Sequence, residues 1–308
     1  MTRRFNPWFL AFLAVAAAAA IYGVLLLSRA AADLSLAEIL LRLPASNATT
    51  VHIDVAAIRQ SGMADLLTGA AVAEDPEYRR FVTESGFDWK TDLEAVTASK
   101  VNSDWYFFIR ARFDLQKLRN FTLSRNGACL NGVCSVAGST PGRWVSFFPV
   151  TSRVLALSTS KNKDIIYNLL RKGGTPWTGG VPEGPAWVSF NGSVLEGDPA
   201  LPAGARLFGK VLADAPRTTF SVAGQTGGLE LRMISYHASA AAAENTKAQL
   251  EGVTVEFRKY FERLGQSASP GDLSGLLLSG KFTATGDRVS GAWPLHPEFI
   301  RKLAGGEL

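Results

Sequence analysis

The chain has 308 residues, a formal net charge of +5, two cysteines and three histidines. Its charge is unevenly placed, because residues 1–32 hold Arg3, Arg4 and Arg29 and no acidic residue, which leaves 29 of the 32 basic residues against all 27 acidic ones in the remainder. A main body this close to neutral argues against nucleic-acid binding, which needs a basic surface to neutralise phosphates.

An uncharged stretch of 21 residues, Pro7–Leu27, comes first. At about 1.5 Å per residue, a helix of this length reaches about 31 Å, enough to cross the hydrocarbon core of a bilayer. Arg3 and Arg4 precede it, so the positive-inside bias places the N-terminus in the cytoplasm and the chain after Leu27 outside. The stretch therefore predicts a single-pass signal anchor in the inner (cytoplasmic) membrane, with residues 1–32 as cytoplasmic tip and anchor.

A cleaved signal peptide is the alternative for the same stretch, since Ala30–Ala32 offers small residues for a peptidase. Such peptides usually have an apolar region of about 7 to 15 residues. The longer run favours the uncleaved anchor. Both alternatives export the remainder, which is long enough to bury a core in one large or two ordinary domains.

For residues 33–175 the sequence pattern predicts a first half of mixed helices and strands. The glycine- and proline-rich linker Gly173–Pro185 follows it. The expected elements are a helix within Asp33–Leu43, a strand Thr50–Ile58, short helices at Met63–Leu67 and at the capping box Thr91–Glu94, a helix Pro76–Ser85, a strand Trp105–Ala111, a helix Leu115–Phe121 capped by Asp114, strands Arg143–Val150 and Arg153–Ser158, and a helix from Ser160 to Arg171.

Residues 176–308 predict a second half with the same order of elements. These are a strand Ala186–Asn191, a short helix Gly192–Glu196, a hairpin of Thr218–Ala223 and Leu229–Tyr236, a long helix Ala240–Leu264, a strand pair Leu276–Ala284 and Arg288–Trp293, and a helix Pro297–Leu303. In the long helix the spacing of Leu250, Val253, Phe257, Phe261 and Leu264 predicts one buried stripe.

The shared order indicates a diverged internal repeat, with two similar sheet-plus-helix halves. Adjacent hairpins separated by helices are typical of antiparallel or mixed sheets with helices on one face. The sequence thus predicts an α+β fold behind an N-terminal transmembrane helix, and it leaves open whether the halves form one sheet or two domains.

The two cysteines, Cys129 and Cys134, flank Asn131-Gly132, the preferred pair for a two-residue type I′ hairpin turn. That turn places the cysteines directly opposite each other in a non-hydrogen-bonded pair, where the Cα atoms approach to about 4.5 Å. This separation is within disulfide range. We therefore expect a disulfide on a hairpin tip, in keeping with an oxidising compartment such as the periplasm.

No motif of a known chemistry accompanies these elements, and the sequence predicts no cofactor and no metal site. His52 and Asp54 share one face of a strand, which leaves open a His-Asp pair of a hydrolase, yet a strand face supplies only two such groups. A hydrogen-bonded strand histidine is the favoured interpretation. His237 and His296 are expected at the surface, and serine-hydrolase and phosphate-loop patterns are absent from the sequence.

With these features, the chain resembles a group of uncharacterised bacterial envelope proteins that join a signal anchor to a duplicated α+β exported region. The segments that carry the resemblance are Val51–Ile58 after Leu43-Pro44, Ser85–Trp89, Thr91–Leu93 and Leu201–Gly204. They are packing and turn motifs. The group has no established activity, so the resemblance implies a fold and a location but no site.

These observations favour a membrane-tethered, non-catalytic envelope module that binds or helps assemble protein partners. The alternative is a binder of a lipid or other apolar ligand, held between the sheet and the long helix. A hydrolase that uses His52 and Asp54 is the least favoured interpretation. The partners expected are the membrane itself and an envelope protein, with no nucleic acid.

The predicted topology can be tested directly. Protease added to intact spheroplasts should digest the region after Leu27, because the arginines before the anchor retain the N-terminus in the cytoplasm. Protection of that region from the protease would refute the orientation.

Overall fold

Twelve strands form one antiparallel sheet in the computed structural model, which describes residues 34–61, 76–170, 180–195, 203–225, 228–265 and 267–305. The strands are β1 Thr49–Asp54, β2 Leu93–Val101, β3 Asp104–Ala111, β4 Ala128–Leu130, β5 Val133–Ala137, β6 Trp144–Pro149, β7 Val154–Ser160, β8 Ala186–Phe190, β9 Arg217–Gln225, β10 Gly228–Tyr236, β11 Lys281–Thr285 and β12 Arg288–Leu295. The expected α+β class with a large antiparallel sheet is confirmed.

Helices connect these strands and cover much of the sheet. The α-helices are α1 Leu36–Leu40, α2 Val55–Gln60, α3 Pro76–Ser85, α4 Trp89–Asp92, α5 Leu115–Ser124, α6 Ala203–Leu212, α7 Ala240–Arg263, α8 Leu273–Leu278 and α9 Pro297–Gly305. Two 3₁₀ helices lie at Lys163–Leu170 and Gly192–Leu195.

The sheet is continuous across the linker. Its order is β11-β12-β10-β9-β8-β1-β2-β3-β7-β6-β5-β4, so β1 and β8 meet in an antiparallel seam at the centre. From β1 outward the order is β1-β2-β3-β7-β6, and from β8 outward it is β8-β9-β10-β12-β11. Strands from both sides of the linker thus share one set of ladder hydrogen bonds.

Side chains alternate between the two faces of the sheet along each strand, and different elements pack on the two faces. On one face, here called the helix face, Ile109 packs below α3 and α5, and Met233 packs below α6, α7 and α8. On the opposite face, Phe108 of β3 packs under α1 and the first 3₁₀ helix. The opposite face of the second half carries Arg232 of β10 and has no helix over it among the described residues.

A row of hydroxyl-bearing side chains crosses the opposite face. Directly paired positions on eleven strands follow one another from β5 to β11, and ten of them carry a hydroxyl: Ser135, Ser146, Ser158, Tyr106, Ser99, Thr50, Ser189, Thr219, Ile234, Ser290 and Thr283. Hydrogen bonds link Thr50 to Ser99 at 2.8 Å and Thr219 to Ser189 at 2.9 Å. The members near the seam are buried, so these bonds satisfy groups that water does not reach.

Helix starts follow the expected caps at several positions. The carboxylate of Asp114 accepts from the backbone N–H of Lys117 at the start of α5, and the Ser239 hydroxyl accepts from Ala242 at the start of α7. Gly265 closes α7 with a φ of +64°, a conformation that glycine adopts without strain. The predicted bounds of α7 are confirmed to within one residue.

Two expectations near β1 and β2 are wrong. The strand predicted as Thr50–Ile58 ends at Asp54, whose side chain accepts from the Ala57 N–H at 2.8 Å and starts α2. The expected capping box Thr91–Glu94 is absent, because Asp88 caps α4 instead and β2 begins at Leu93. In both places a local aspartate cap decides where a helix begins.

Other differences concern elements whose pattern is weak. Leu276 was expected in a strand but lies in α8, where Asp272 caps the helix, and the strand begins only at Lys281. Strand β2 and helix α6 were not expected at all. The predicted anchor Pro7–Leu27 and the helix Met63–Leu67 lie outside the described residues. Among the helices that the structure does describe, none is long and apolar enough to cross a bilayer.

The hairpin of β4 and β5 confirms the expectation for the cysteines. Asn131 and Gly132 have φ values of 52° and 82°, as a type I′ turn requires, and Cys129 pairs with Cys134 across the ladder. Their Cα atoms are 4.0 Å apart and the sulfur atoms are bonded. The bridge fastens a hairpin at the edge of the sheet, remote from the seam.

A double Cys129→Ser, Cys134→Ser variant should still be exported and folded. The bridge closes only a short loop and the turn already sets the register, so its loss should cost about 2 kcal/mol of unfolding free energy. Thermal denaturation would measure the modest fall in melting temperature, with Ser139→Ala, an exposed position in the loop after β5, as a nearby control. Two reactive thiols in denatured, unreduced wild-type protein would contradict the bridge.

Candidate functional site

The two residues of the hydrolase alternative occupy separate structural positions. His52 is buried on the opposite face, where its Nδ1 lies 2.9 Å from the Thr97 hydroxyl and its ring centroid lies 5.5 Å from that of Trp187. Asp54 caps α2. Each side chain therefore has a structural role. For His52 this agrees with the favoured interpretation of a hydrogen-bonded strand histidine.

The remaining histidines also have local partners. The Nε2 of His237 lies 2.9 Å from the Ser235 hydroxyl, and the Nδ1 of His296 accepts a hydrogen bond from the Glu298 N–H. Within the described ranges, no three His, Cys, Asp or Glu side chains converge as a metal site would require.

Burial lowers the pKa of His52 below its ordinary value of 6.5. The Asp54 carboxylate opposes this change and the Arg110 guanidinium adds to it. Desolvation also lowers the pKa of His237, against the pull of Asp287. Both imidazoles thus favour the neutral form in the folded protein, which suits hydrogen bonding within the sheet.

The long helix α7 turns its predicted apolar side to the sheet, but the burial of that side decreases towards the C-terminal end of the helix. Its buried residues are Ala243, Thr246, Leu250 and Thr254. The expectation of one buried stripe is confirmed around Leu250, against which Val253 and Phe257 pack, and is wrong at Leu264, which is 52% exposed. Between these ends, Val253, Phe257 and Phe261 are half-buried.

These half-buried side chains line an apolar groove between α6, α7 and α8. The groove has a volume of about 890 Å³, within the range of small-molecule sites. Its apolar lining consists of Leu207, Val211, Val253, Phe257, Phe261, Leu273 and Leu277. Gly204 lies on its floor, where an added Cβ would stand 2.8 Å from a methyl group of Leu277. A side chain at position 204 would therefore narrow the groove.

A second apolar cavity lies beneath the groove, between the helices and the sheet. It has a volume of about 310 Å³ and reaches Phe220 and Trp293 on the sheet. Leu273 and Leu277 of α8 line both spaces, so two leucine side chains separate the groove from the interior cavity.

The polar groups of the groove stand along the outer edge of α7. They are Gln249, Glu256 and the Tyr260 ring, which is 54% exposed. Glu256 accepts a hydrogen bond from the ammonium of Lys259 at 2.9 Å, and this bond lowers the pKa of the Glu256 carboxyl. The groove thus has an apolar floor and a polar, charged margin.

Only part of this groove is predictable from the sequence. The long helix was expected and lines the groove, but α6 was missed because Ala203–Leu212 follows a segment with no clear helix signal. Its apolar positions Leu207, Phe208 and Val211 recur at helical spacing, which is the signal that would have found it.

No family model and no curated protein matches the chain. Among solved structures, it is similar to TP0453 in crystal forms I, III and IV, with 9–11% identity and TM-scores of 0.46–0.48. These alignments cover 88% of this chain and 96–97% of the TP0453 chains. Similarity at this level carries no argument about function.

The buried histidine predicts a pH dependence of stability. Because its pKa is lower in the folded chain, the unfolded chain takes up the proton first as the pH falls. The contribution of neutral His52 is complete above the ordinary pKa of 6.5 and is lost as the pH falls through that value towards the folded-state pKa.

Melting temperatures of the wild type and of His52→Gln, measured between about pH 7.5 and about pH 5.5, would test this, because glutamine retains a partner for Thr97 but does not titrate. The variant should lose less stability on acidification than the wild type. The exposed His296→Gln serves as control, and equal slopes for His52→Gln and the wild type would contradict the prediction.

Proposed function

We propose that the chain after Leu27 is a non-catalytic binding module, tethered to the inner membrane on its extracytoplasmic side, that holds an acyl chain of a lipid in the groove between α6, α7 and α8. The observation that supports this most is the half-buried part of the apolar stripe of α7. Val253, Phe257 and Phe261 are bulky enough for a core, yet they line an open groove.

An occupant of the groove would gain a substantial hydrophobic free energy. Removing apolar surface from water contributes about 25 cal/mol per Å², and Leu207 alone is 44% exposed. Contiguous apolar surface of this kind on a soluble domain usually marks an interaction site. Phe208 and Phe257 stack with centroids 6.1 Å apart, which gives the groove a firm floor.

The interior cavity favours a lipid over a protein helix as the occupant. A helix with its side chains is about 10–12 Å wide, too wide for an interior cavity of about 310 Å³. A single alkyl chain is narrow enough to lie in the groove. The polar margin at Gln249 and Glu256 then provides hydrogen-bonding groups for the polar end of the ligand.

The internal repeat belongs to the same proposal. The strand order is identical outward from the seam in the two halves, and each half has a helix over the helix face after its central hairpin, α5 in the first and α7 in the second. The first half also has an apolar cavity between helix and sheet, of about 250 Å³, lined by Phe81, Phe121 and Ile109. We infer a duplicated unit, with the β4–β5 hairpin as an addition to the first copy.

A charge placed in the groove should weaken ligand binding. Leu207→Glu replaces a leucine contact worth about 1.5–3 kcal/mol and buries a carboxylate, so affinity for a fluorescent fatty acid such as dansylated undecanoic acid should fall about 10- to 100-fold or more. Leu123→Glu on α5 is the matched control, because Leu123 is a helical leucine with 49% exposure outside the groove.

Fluorescence titration of the full-length protein in mild detergent measures both variants, and circular dichroism checks that they fold. Equal affinity of the two variants and the wild type would show that the fatty acid binds elsewhere. Native mass spectrometry of protein extracted from its own membranes supplies an independent result, in which a bound lipid supports the proposal.

The expectation of an envelope protein partner remains a prediction. Pull-down from membranes tests it, and Leu207→Glu separates the two functions. A protein that copurifies with the wild type and Leu123→Glu but not with Leu207→Glu, in the absence of lipid, would assign the groove to that partner and overturn the lipid proposal.

A further inference from the structure

The opposite face of the second half forms a cavity that the groove does not use. Strands β9, β10, β12 and β11 form its floor, and the segment Gly180–Glu183 forms a wall. Its volume is about 490 Å³. In the first half the same face lies under α1 and a 3₁₀ helix, so this open surface is particular to the second half.

Cross-strand pairing arranges the side chains of this cavity in three levels. The first level holds Arg217, Tyr236 and Arg288, which are direct neighbours on β9, β10 and β12. The two guanidinium groups lie 4.3 and 5.1 Å from the centroid of the Tyr236 ring. Cation–π contacts thus hold two positive charges at one end of the cavity.

The third level holds Ser221, Arg232 and Lys281 at the other end of the cavity. Tyr236 and Arg232 are four residues apart on β10, which separates the two cationic levels by about 13 Å. The Nε of Arg232 donates to Glu230 at 2.7 Å, which fixes the direction of the guanidinium.

The middle level carries hydroxyl groups instead of charges. It holds Thr219, Ile234, Ser290 and Thr283, the end of the hydroxyl row in the second half. Thr219 is buried and donates its hydroxyl to Ser189, and Ile234 is 39% exposed. Ser290 and Thr283 are exposed, so their hydroxyls are accessible to a ligand. The cavity therefore alternates between cationic, hydroxyl-bearing and cationic levels.

Acidic side chains offset part of this charge. Arg232 lies 2.7 Å from Glu230 and 3.9 Å from Glu183, which is 88% exposed, and Arg288 lies 3.8 Å from Asp287. At the third level the exposed ammonium of Lys281 is therefore the main charge offered to a ligand.

A ligand of this cavity is separate from the occupant of the groove. Met233 points to the helix face and lies in that core, whereas its neighbour Arg232 projects from the opposite face. The sheet separates the two spaces, so the head of a lipid in the groove does not reach the arginines.

We propose that this cavity binds an acidic oligosaccharide. Its acidic groups meet the two cationic levels, and the neutral, hydroxyl-bearing part between them meets Ser290, Thr283 and the exposed part of Ile234. Arginine suits carboxylate, sulfate and phosphate groups because its planar fork donates two parallel hydrogen bonds. A uniform polyanion fits less well, because it places charge on the hydroxyl level.

Three probes distinguish charge from sugar recognition: a hyaluronan hexasaccharide, a neutral N-acetylglucosamine hexasaccharide and pentapolyphosphate. Isothermal titration of the full-length protein at low ionic strength should show binding of the hyaluronan oligomer at least about tenfold tighter than of the other two, since charged and neutral contacts add. Binding should weaken with added salt because the charges are partly exposed.

Arg288→Gln and Lys281→Gln should each weaken hyaluronan binding about three- to tenfold, as expected for exposed ion pairs. Both residues are exposed, so the fold should tolerate the changes. Arg258→Gln, an exposed arginine on α7 beyond the other side of the sheet, is the control and should leave affinity unchanged. Absence of hyaluronan binding, equal binding of pentapolyphosphate, or equal affinities of all three variants would each overturn the proposal.

Discussion

The register of the single sheet depends on the row of hydroxyl groups that crosses it. Near the seam, Thr50, Ser99 and Ser189 are buried, and each finds its partner on a neighbouring strand. A slip of one residue in any strand would turn these hydroxyls towards the apolar helix face and leave them unsatisfied, which costs about 1–3 kcal/mol each. The polar row therefore selects one pairing among the many that twelve hydrophobic strands would otherwise allow.

The same alternation gives the second half two unlike surfaces. On β10, Met233 faces a core under three helices while Arg232 faces a polar cavity. Because successive side chains point to opposite faces, a single strand supports an apolar site and a cationic site that share no side chain. The packing of the helices then determines which part of each surface is covered and which part is exposed. The first part of α7 packs on the sheet through Ala243, Thr246 and Leu250, and two bulky apolar residues further along the same side, Phe257 and Phe261, line the groove.

Sequence patterns that act within a few residues predicted the structure well. Features that depend on residues far apart in the sequence were not predicted. Asn131-Gly132 identified a hairpin and its cystine, and Asp114 and Ser239 identified helix starts, because each acts within a few residues. The groove was predicted only in part, because an apolar spacing on α7 shows which residues share a side, not whether another element covers them. The cationic levels were not predicted, since Arg217, Tyr236 and Arg288 become neighbours only when β9, β10 and β12 pair.

The seam between β1 and β8 has a consequence for how the chain assembles. Strand β1 completes one of its ladders with β2, close in sequence, but its other edge pairs with a strand beyond the linker. When the chain is synthesised from the N-terminus, the free edge of β1 stays exposed until β8 has been made and has paired with it. Exposed strand edges tend to pair with other chains. Pairing of β1 with β8 completes the sheet late in folding, and it is expected to be slow because the two strands are far apart in the sequence. Thr50 and His52 on β1 need polar partners, so an apolar strand from another chain would pair with β1 less favourably than β8 does. The polar residues at the centre of the sheet therefore also protect the incompletely folded chain from aggregation.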